Sequence, residues 1–283
     1  MSTRKTKAII AKYGPKAVGL ALNAEALVSS RKAAEKALDI FCTPRNGRVR
    51  PHQKKFLDQF ERKVLLLDEL EIATYEHVGS GPKILLCHGW ESNGFRWRKL
   101  FARLKENDFH VIMMDAPSHG ESGGEKFNAL LYADMINVVG KHYRPEVICG
   151  HSVGGMASII YLYKAKPEFM KKAIILASPD RLSDITDNYF SIIGGSSRLR
   201  KAYEKLFPEK FGKDMSYYSA AKFAEEIDIP ALIVHDRDDN INKYVEGQRI
   251  HEAWKGSELY TTTNLGHSLQ SPEVFDKVDE FLL

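Results

Sequence analysis

Short, continuous apolar runs alternate with amphipathic stretches after residue 63, and this alternation constrains the fold more than any other feature of the chain. The apolar runs have the length of buried strands, and the stretches between them have the periodicity of helices. The predicted strands are 64–67, 70–77, 83–87, 110–114, 146–149, 173–177, 231–235 and 258–262. Because continuous apolar strands separated by helices are typical of a parallel sheet covered on both faces, we predict a doubly wound α/β fold. Its sheet is mostly parallel and eight-stranded, and its first two strands form an antiparallel hairpin.

Two segments depart from this alternation. From Pro15 to Phe41 apolar residues recur at helical spacing, and the turn cluster 43–47 ends that helical pattern. Residues 180–228 separate two predicted strands and contain several aromatic residues but no strand pattern. A connection of that length is usually functional or has structure of its own. We therefore expect a basic helical extension over 1–63 and an α/β domain over 64–283, with a small helical cap inserted at about 180–228 over the strand ends.

The strongest indication of chemistry is the pentapeptide Gly150-His151-Ser152-Val153-Gly154. It follows an apolar strand and precedes a helical stretch, which is the setting of a nucleophile elbow. Glycines two residues before and after the serine allow close approach of the backbone around a strained turn. The amides at the start of the next helix point toward the serine. The alternative is a glycine-rich turn with an incidental serine; we favour the elbow, which makes Ser152 the predicted nucleophile.

A serine nucleophile needs a base to accept its proton and an acid to orient that base. In folds with this elbow, the acid and then the histidine follow the serine along the chain. Asp236, Asp238 and Asp239 follow the strand 231–235, and His267 follows the last strand. Because functional groups in such sheets lie at the carboxyl ends of strands, His267 is the predicted base.

Five motifs in this order resemble those of the α/β-hydrolase superfamily, and the resemblance covers about residues 64–283. They are His88-Gly89-Trp90, the turn 115–122 (in which Ser118 replaces the family's usual glycine), the elbow, the acidic turn and Gly266-His267. The resemblance implies the α/β-hydrolase fold and a serine hydrolase, esterase-like, that needs no cofactor. The first 63 residues lie outside it.

The resemblance also implies roles for single residues. The family's acid lies three residues after a glycine, and Asp236 occupies that glycine position here. Counting onward selects Asp239, with Asp238 as the nearest alternative and Asp236 as a poorer one. An ester's tetrahedral oxyanion needs two preorganised donors. The first is the N–H of Val153, the residue after the nucleophile, and by resemblance the second is the N–H of Trp90.

Two side chains near the serine are candidate substrate contacts. Trp90 either forms a wall of the acyl pocket or is a core tryptophan, since its oxyanion role involves only the backbone. His151 either contacts the substrate or packs beneath the site. By resemblance, His88 has a structural role in the oxyanion loop. We expect no metal or cofactor, because the acidic turn lacks the spacing of a calcium loop and the chain has no phosphate-binding glycine motif.

Charge is distributed unevenly along the chain. Residues 1–63 contain 15 Lys and Arg against 5 Asp and Glu, whereas the rest contains 26 against 32. The basic segment could attract an anionic membrane surface; the alternatives are that it packs on the acidic body or promotes solubility. It lacks the interleaved aromatic residues that stack bases, so we do not expect nucleic-acid binding. The sequence does not indicate an oligomeric state.

Three cysteines, Cys42, Cys87 and Cys149, are too few and too scattered for a disulfide framework. No apolar stretch reaches the roughly 18 residues of a membrane span, and the N-terminal apolar run is a poor signal-peptide core. We therefore expect a cytoplasmic protein with reduced thiols.

Together these features predict a serine hydrolase that cleaves carboxylic esters or thioesters of small to medium acyl groups through an acyl-enzyme, most simply a carboxylesterase. Its partner would be a small-molecule ester or thioester. The alternatives are an acyltransferase or perhydrolase with the same three residues, and a non-catalytic ligand-binding protein of the same fold.

Overall fold

One sheet organises the fold. The computed structural model describes the backbone of residues 2–283 and the side chains of residues 14–283. Within that range the strands are β1 (Glu61–Leu67), β2 (Leu70–His77), β3 (Lys83–Cys87), β4 (His110–Met114), β5 (Val147–His151), β6 (Lys172–Leu176), β7 (Ala231–Asp236) and β8 (Ser257–Thr262). They form an eight-stranded sheet in the order β1-β2-β4-β3-β5-β6-β7-β8. β2 pairs antiparallel with β1 and β4, and all other neighbours are parallel. The predicted fold class is confirmed.

Helices connect these strands and precede them. Their bounds are α1 (Ser2–Val28), α2 (Ser30–Phe41), α3 (Pro51–Leu57), α4 (Arg98–Glu106), α5 (Ala129–Tyr143), α6 (Val153–Ala165), α7 (Leu182–Ile193), α8 (Ser197–Phe211), α9 (Ala220–Ala224), α10 (Tyr244–Ala253) and α11 (Pro272–Leu282). Side chains that accept backbone N–H groups define several starts: Ser29 caps α2, Asn128 caps α5 and Ser196 caps α8. None of the helices in residues 2–283 combines the length and apolarity that a bilayer-spanning segment requires.

The core lies along the middle of the sheet. Every residue of β4, β5 and β7 is buried, as expected for strands covered by helices on both faces. The predicted hairpin is present: Leu67 pairs with Leu70, and Asp68 adopts the left-handed conformation (φ +51°) in the turn between them. All three cysteines are buried, and none of them forms a disulfide.

The chain divides into two compact units. The first contains the residues up to Cys42 together with Arg181–Ser219, and the second contains Thr43–Asp180 and Ala220–Leu283. The sequence predicted an extension over 1–63 and a cap over 180–228, and the bounds of the two units differ from these predicted ranges. Residues 43–63 belong to the second unit, since β1 already begins at Glu61. Residues 220–228 also belong to it, because the Ala220 amide is bonded to the Asp180 carbonyl (2.7 Å).

Candidate active site

Ser152 lies in the sharp turn between β5 and α6. Its backbone is in a sparsely populated conformation (φ +55°, ψ −129°), and its N–H donates to the Leu176 carbonyl on the neighbouring strand at 2.8 Å. The turn also approaches the end of β3. A Cβ on Gly154 would lie 2.3 Å from the Cys87 carbonyl oxygen, so only glycine fits there. The predicted strand–turn–helix setting of the serine is therefore present.

Ser152, His267 and Asp239 form a continuous chain of hydrogen bonds. The Nδ1 of His267 lies 2.8 Å from Oδ2 of Asp239, and its Nε2 lies 3.0 Å from the Ser152 hydroxyl oxygen. Because an ionised carboxylate only accepts, Nδ1 carries the proton and Nε2 accepts from the serine. The structure thus brings together the three residues that the sequence predicted, and in the tautomer that a general base needs.

Asp239 is held as an ionised acceptor. Its Oδ1 accepts the N–H groups of Ile241 at 2.8 Å and Asn242 at 3.0 Å. Burial raises the pKa of this carboxyl, but hydrogen bonds from His235 and His267 outweigh burial and hold the pKa well below its usual value. Asp239 is therefore negatively charged next to the imidazole.

The backbone beside Ser152 provides two free donors. Gly89 approaches the serine so closely that a Cβ on it would lie 2.8 Å from the Ser152 Cβ. In the part of the chain that the structure describes, neither the Trp90 N–H nor the Val153 N–H has a hydrogen-bond acceptor. Val153 directly follows the serine and Trp90 directly follows Gly89, so both amides are candidate donors for an oxyanion hole.

Trp90 is not a core tryptophan. Its side chain is 37% exposed, and its ring contacts Phe127 and His119 with centroid separations of 5.1 and 5.6 Å. The other two tryptophans, Trp97 and Trp254, are buried. This exposure favours the pocket-wall alternative for the Trp90 side chain.

Comparison with known proteins agrees with this fold. A sequence model described as the alpha/beta hydrolase fold matches residues 82–193. The uncharacterized hydrolase YugF of Bacillus subtilis is 22% identical over 252 residues, which are 72% of this chain and 91% of YugF. The esterase Pf2001 of Pyrococcus furiosus has a similar structure, with a TM-score of 0.63 and 21% identity over 85% of this chain and 95% of that one. The chain therefore has the α/β-hydrolase fold.

A third relative matches over a shorter region. The pimeloyl-[acyl-carrier protein] methyl ester esterase of Stenotrophomonas maltophilia is 31% identical over 104 residues, which are 37% of this chain and 39% of that protein. The matched part is thus well under half of either protein.

The other two aspartates of the acidic turn, Asp236 and Asp238, hold the loop that leads to His267 (the histidine loop). Oδ2 of Asp236 accepts the Thr262 hydroxyl at 2.6 Å and the Leu265 N–H at 3.1 Å. Oδ2 of Asp238 accepts the Asn264 N–H at 2.8 Å. Neither is bonded to His267, and both fix the loop that leads to it. The structure therefore favours Asp239 over both alternatives that the sequence left open.

His151 lies beneath the site and is 4% exposed. Its Nε2 is 2.8 Å from the His267 carbonyl oxygen, so Nε2–H donates to the histidine loop. Burial lowers the pKa of His151 well below its usual value, and its Nδ1 has no partner among the described residues. This placement favours packing beneath the site over substrate contact.

Arg96, which lies next to the histidine loop, was not identified from the sequence. Its guanidinium donates to the Ser268 carbonyl at 2.7 Å, directly after His267, and burial lowers its pKa to about 10. Nothing in the local sequence marks this arginine, because its partner is a backbone carbonyl far along the chain.

Proposed function

We propose that this α/β hydrolase is a serine hydrolase that cleaves carboxylic esters or thioesters of small to medium acyl groups through an acyl-enzyme. The observation that carries the proposal is the hydrogen-bonded chain of Ser152, His267 and Asp239, with Nε2 of the histidine facing the serine hydroxyl. An isolated serine hydroxyl is a weak nucleophile, and this arrangement supplies the base that activates it.

Acylation begins when the Ser152 oxygen attacks the carbonyl carbon of the ester. His267 Nε2 accepts the serine proton, and the ionised Asp239 stabilises the resulting imidazolium. The carbonyl oxygen becomes an oxyanion and accepts the N–H groups of Trp90 and Val153. When the tetrahedral intermediate collapses, the bond to the leaving alcohol or thiol breaks and His267 donates its proton to that group.

Deacylation repeats these steps with water. His267 accepts a proton from water as the water oxygen attacks the acyl carbon, and the same two amides stabilise the second oxyanion. Collapse breaks the bond to the serine oxygen, which recovers the proton from His267, and the carboxylic acid leaves. The electron and proton balance closes without a cofactor.

The ester class is supported by two relatives and by one side chain. The Pyrococcus protein is named an esterase, and the Stenotrophomonas protein is named a methyl ester esterase. The half-exposed indole of Trp90 offers an apolar surface next to a proposed oxyanion donor. Apolar lining with a few fixed polar groups suits a small or medium acyl chain.

Labelling by a fluorophosphonate probe, together with turnover of short and medium p-nitrophenyl esters, tests this proposal. We expect wild type to be labelled and active, and Ser152→Ala to lose both properties. Ser178→Ala is a matched control, because among the described residues the Ser178 hydroxyl is bonded only to the adjacent Pro179 carbonyl. Folded wild-type protein that is not labelled would refute the proposal and favour a ligand-binding protein. Product analysis with added alcohol or peroxide would reveal an acyltransferase or a perhydrolase.

We also propose a reducing, cytoplasmic location. Three buried cysteines without a disulfide support it, because oxidising compartments favour disulfides.

A further inference from the structure

The 43–50 segment is hydrogen-bonded to the loop that follows β3. The sequence marks this segment only as a turn cluster that continues into basic residues. In the structure the Glu91 carboxylate accepts three hydrogen bonds from this segment. The donors are the Arg45 N–H at 2.9 Å, the Asn46 N–H at 3.3 Å and the Asn46 side-chain amide at 3.0 Å. Glu91 directly follows Trp90, so the segment contacts the loop next to the proposed oxyanion donor.

Gly47 makes a second connection. Its carbonyl accepts the Gly120 N–H at 2.9 Å and the Asn93 side-chain amide at 3.1 Å. Its backbone is left-handed (φ +99°), and a Cβ there would lie 2.4 Å from Cδ2 of His119. Position 47 therefore requires glycine for both its conformation and its contact with the imidazole.

Both peptide groups of Trp90 are fixed by histidines. The peptide before it contains the Gly89 carbonyl, which lies 2.8 Å from His88 Nδ1, and the Trp90 N–H itself. The peptide after it ends in the Glu91 N–H, which donates to Nε2 of His119 at 2.9 Å. The orientation of the Trp90 N–H therefore depends on both rings.

Glu91 is strained at this point. It is a non-glycine residue with φ +49°, a conformation that persists only when the surroundings determine it fully. Its N–H is held by His119 and its carboxylate by Arg45 and Asn46, whereas Gly47 packs against the same imidazole. These contacts supply the surroundings that the strained residue needs.

We propose that Asn46, Gly47 and Glu91 are positioning residues that orient the Trp90 N–H in the oxyanion hole. This inference rests on the proposed function. Asn46 and Gly47 lie outside the region that the family model matches, and they act through Glu91 and His119 without touching the reacting atoms.

Gly47→Ala and Glu91→Gln test this role by steady-state kinetics on a p-nitrophenyl ester and by the rate of fluorophosphonate labelling. Misplacement of a donor by an ångström can reduce a rate by about 100-fold, so we expect kcat and labelling to fall by about 10- to 100-fold. KM should change by less than about 3-fold, because the donor acts mainly in the transition state.

Matched controls separate positioning from general destabilisation. Gly256→Ala introduces an alanine at a similar left-handed position (φ +76°), but no atom lies within 4 Å of the added Cβ. Glu226→Gln removes an exposed carboxylate that pairs with Lys166. Both controls should leave kcat unchanged, even where Gly256→Ala lowers the melting temperature.

Two outcomes would overturn the inference in distinguishable ways. Unlabelled, inactive wild-type protein overturns the proposed function and this role together. Normal wild-type labelling, with kcat unchanged in Gly47→Ala and Glu91→Gln or lowered equally in Gly256→Ala, overturns this role alone.

The surface of the first unit carries exposed apolar side chains. Leu20, Leu27 and Val28 of α1 are 72%, 70% and 91% exposed. Leu20 and Leu27 are seven residues apart and so lie on one face of the helix, and Ala24 between them is also exposed. Large apolar side chains exposed together at one end of a helix form a candidate interaction surface.

A basic groove begins two residues beyond Val28. Its volume is about 330 Å³, and its charged lining consists of Arg31, Arg198, Lys201, Lys205 and Glu209. Arg31 pairs with Glu209 at 2.7 Å. Within residues 14–283, Arg198, Lys201 and Lys205 have no carboxylate partner. The groove is therefore positively charged and suited to phosphate groups.

We propose that this face of the first unit docks on an anionic phospholipid surface. The apolar residues of α1 would insert at the level of the acyl chains, and the groove would bind lipid phosphates. A second copy of the chain fits less well, because it would bring two positive grooves together.

Flotation of the full chain with vesicles tests the docking face. We expect binding to phosphatidylcholine vesicles that contain phosphatidylglycerol, weakened by salt, and little binding to phosphatidylcholine alone. Leu27→Ser with Val28→Ser should weaken binding by about 10-fold, and Lys201→Glu with Lys205→Glu by about 10-fold or more. Controls in the second unit, Leu66→Ser and Lys105→Glu, should bind as wild type does.

No binding to the anionic vesicles, or equal binding by all variants, would overturn this second proposal. A dimer in solution that Leu27→Ser with Val28→Ser converts to a monomer, without vesicle binding, would assign the face to self-association and overturn it as well.

Discussion

Lowering the pH should reduce the free energy of unfolding through two histidines in the loops around the proposed oxyanion hole. Burial lowers the pKa of both His88 and His119 to about 4. Each ring also accepts a backbone N–H, from Ala116 and Glu91 respectively, and a protonated ring cannot accept. The unfolded chain protonates histidine near pH 6.5, so it binds more protons than the folded protein between about pH 6.5 and 4. The stabilisation that comes from keeping these two histidines neutral is therefore present above pH 6.5. It is lost as the pH falls through this window.

The magnitude follows from the two pKa values. A histidine with a folded pKa of about 4 and an unfolded pKa of 6.5 contributes a stability loss of about 2 kcal/mol between pH 7 and pH 5. His151, whose pKa is also far below its usual value, adds a similar amount. Aspartates and glutamates titrate mainly below this window in the unfolded chain, so histidines dominate the loss.

His119→Gln tests this reasoning. The glutamine side chain keeps an acceptor for the Glu91 N–H but does not titrate. We expect the variant to lose about 2 kcal/mol less than wild type between pH 7 and pH 5, whatever its stability at pH 7. Urea unfolding at both pH values measures this difference. An equal pH-dependent loss in variant and wild type, or a His119 NMR titration with its midpoint near 6.5, would refute it.

Three further predictions concern the site itself. Asp239→Asn should lower kcat by about 10³- to 10⁴-fold, because the histidine tautomer is then wrong, whereas Asp238→Asn should lower it by less than about 3-fold; ester kinetics distinguish them. Gly154→Ala should destabilise the fold by about 3 kcal/mol or more in urea unfolding, since its Cβ would lie 2.3 Å from the Cys87 carbonyl; stability within 1 kcal/mol of wild type would contradict this packing. Ser152→Gly should be about 1 kcal/mol more stable than Ser152→Ala, because both lack the hydroxyl but only glycine relieves the positive φ; equal stability would mean that the turn is unstrained.

The sheet was predictable because each strand carries its own signal. The strands 83–87 and 110–114 were predicted with their observed bounds, since each is a continuous apolar run with polar or turn residues around it. Helix ends have a weaker sequence signal. The helix after the elbow begins at Val153, because the backbone conformation of Ser152 sets its start.

The site was only partly predictable. Ser152 and His267 each follow a recognisable strand, so local patterns located them. The sequence alone does not distinguish the three aspartates of the acidic turn. They differ in the distant residues from which their carboxylates accept hydrogen bonds: Thr262 for Asp236, Asn264 for Asp238 and His267 for Asp239. Counting along a family pattern selected Asp239, and the hydrogen bonds supply the physical reason for that choice.

Hydrogen bonds that involve backbone atoms could not be predicted from the sequence. The 43–50 segment reaches Glu91 through its own amides, 46 residues away along the chain, and any sequence in that turn has such amides. Likewise, the His151 ring and the Arg96 guanidinium bind carbonyls of residues 267 and 268. Side-chain identity indicates what a residue can donate, but only the folded chain determines which carbonyl lies within reach.

The family model also does not cover every residue that the proposed site needs. The matched region, 82–193, includes Trp90 and Ser152 but neither Asp239 nor His267, and it excludes the 43–50 segment. A chain that retained this region and lost Gly47 would still match the family, although the imidazole that holds the Glu91 N–H would be displaced. The proposed activity therefore draws on three separate parts of the sequence. Variants outside the matched region test whether a chain with this fold is also a working enzyme.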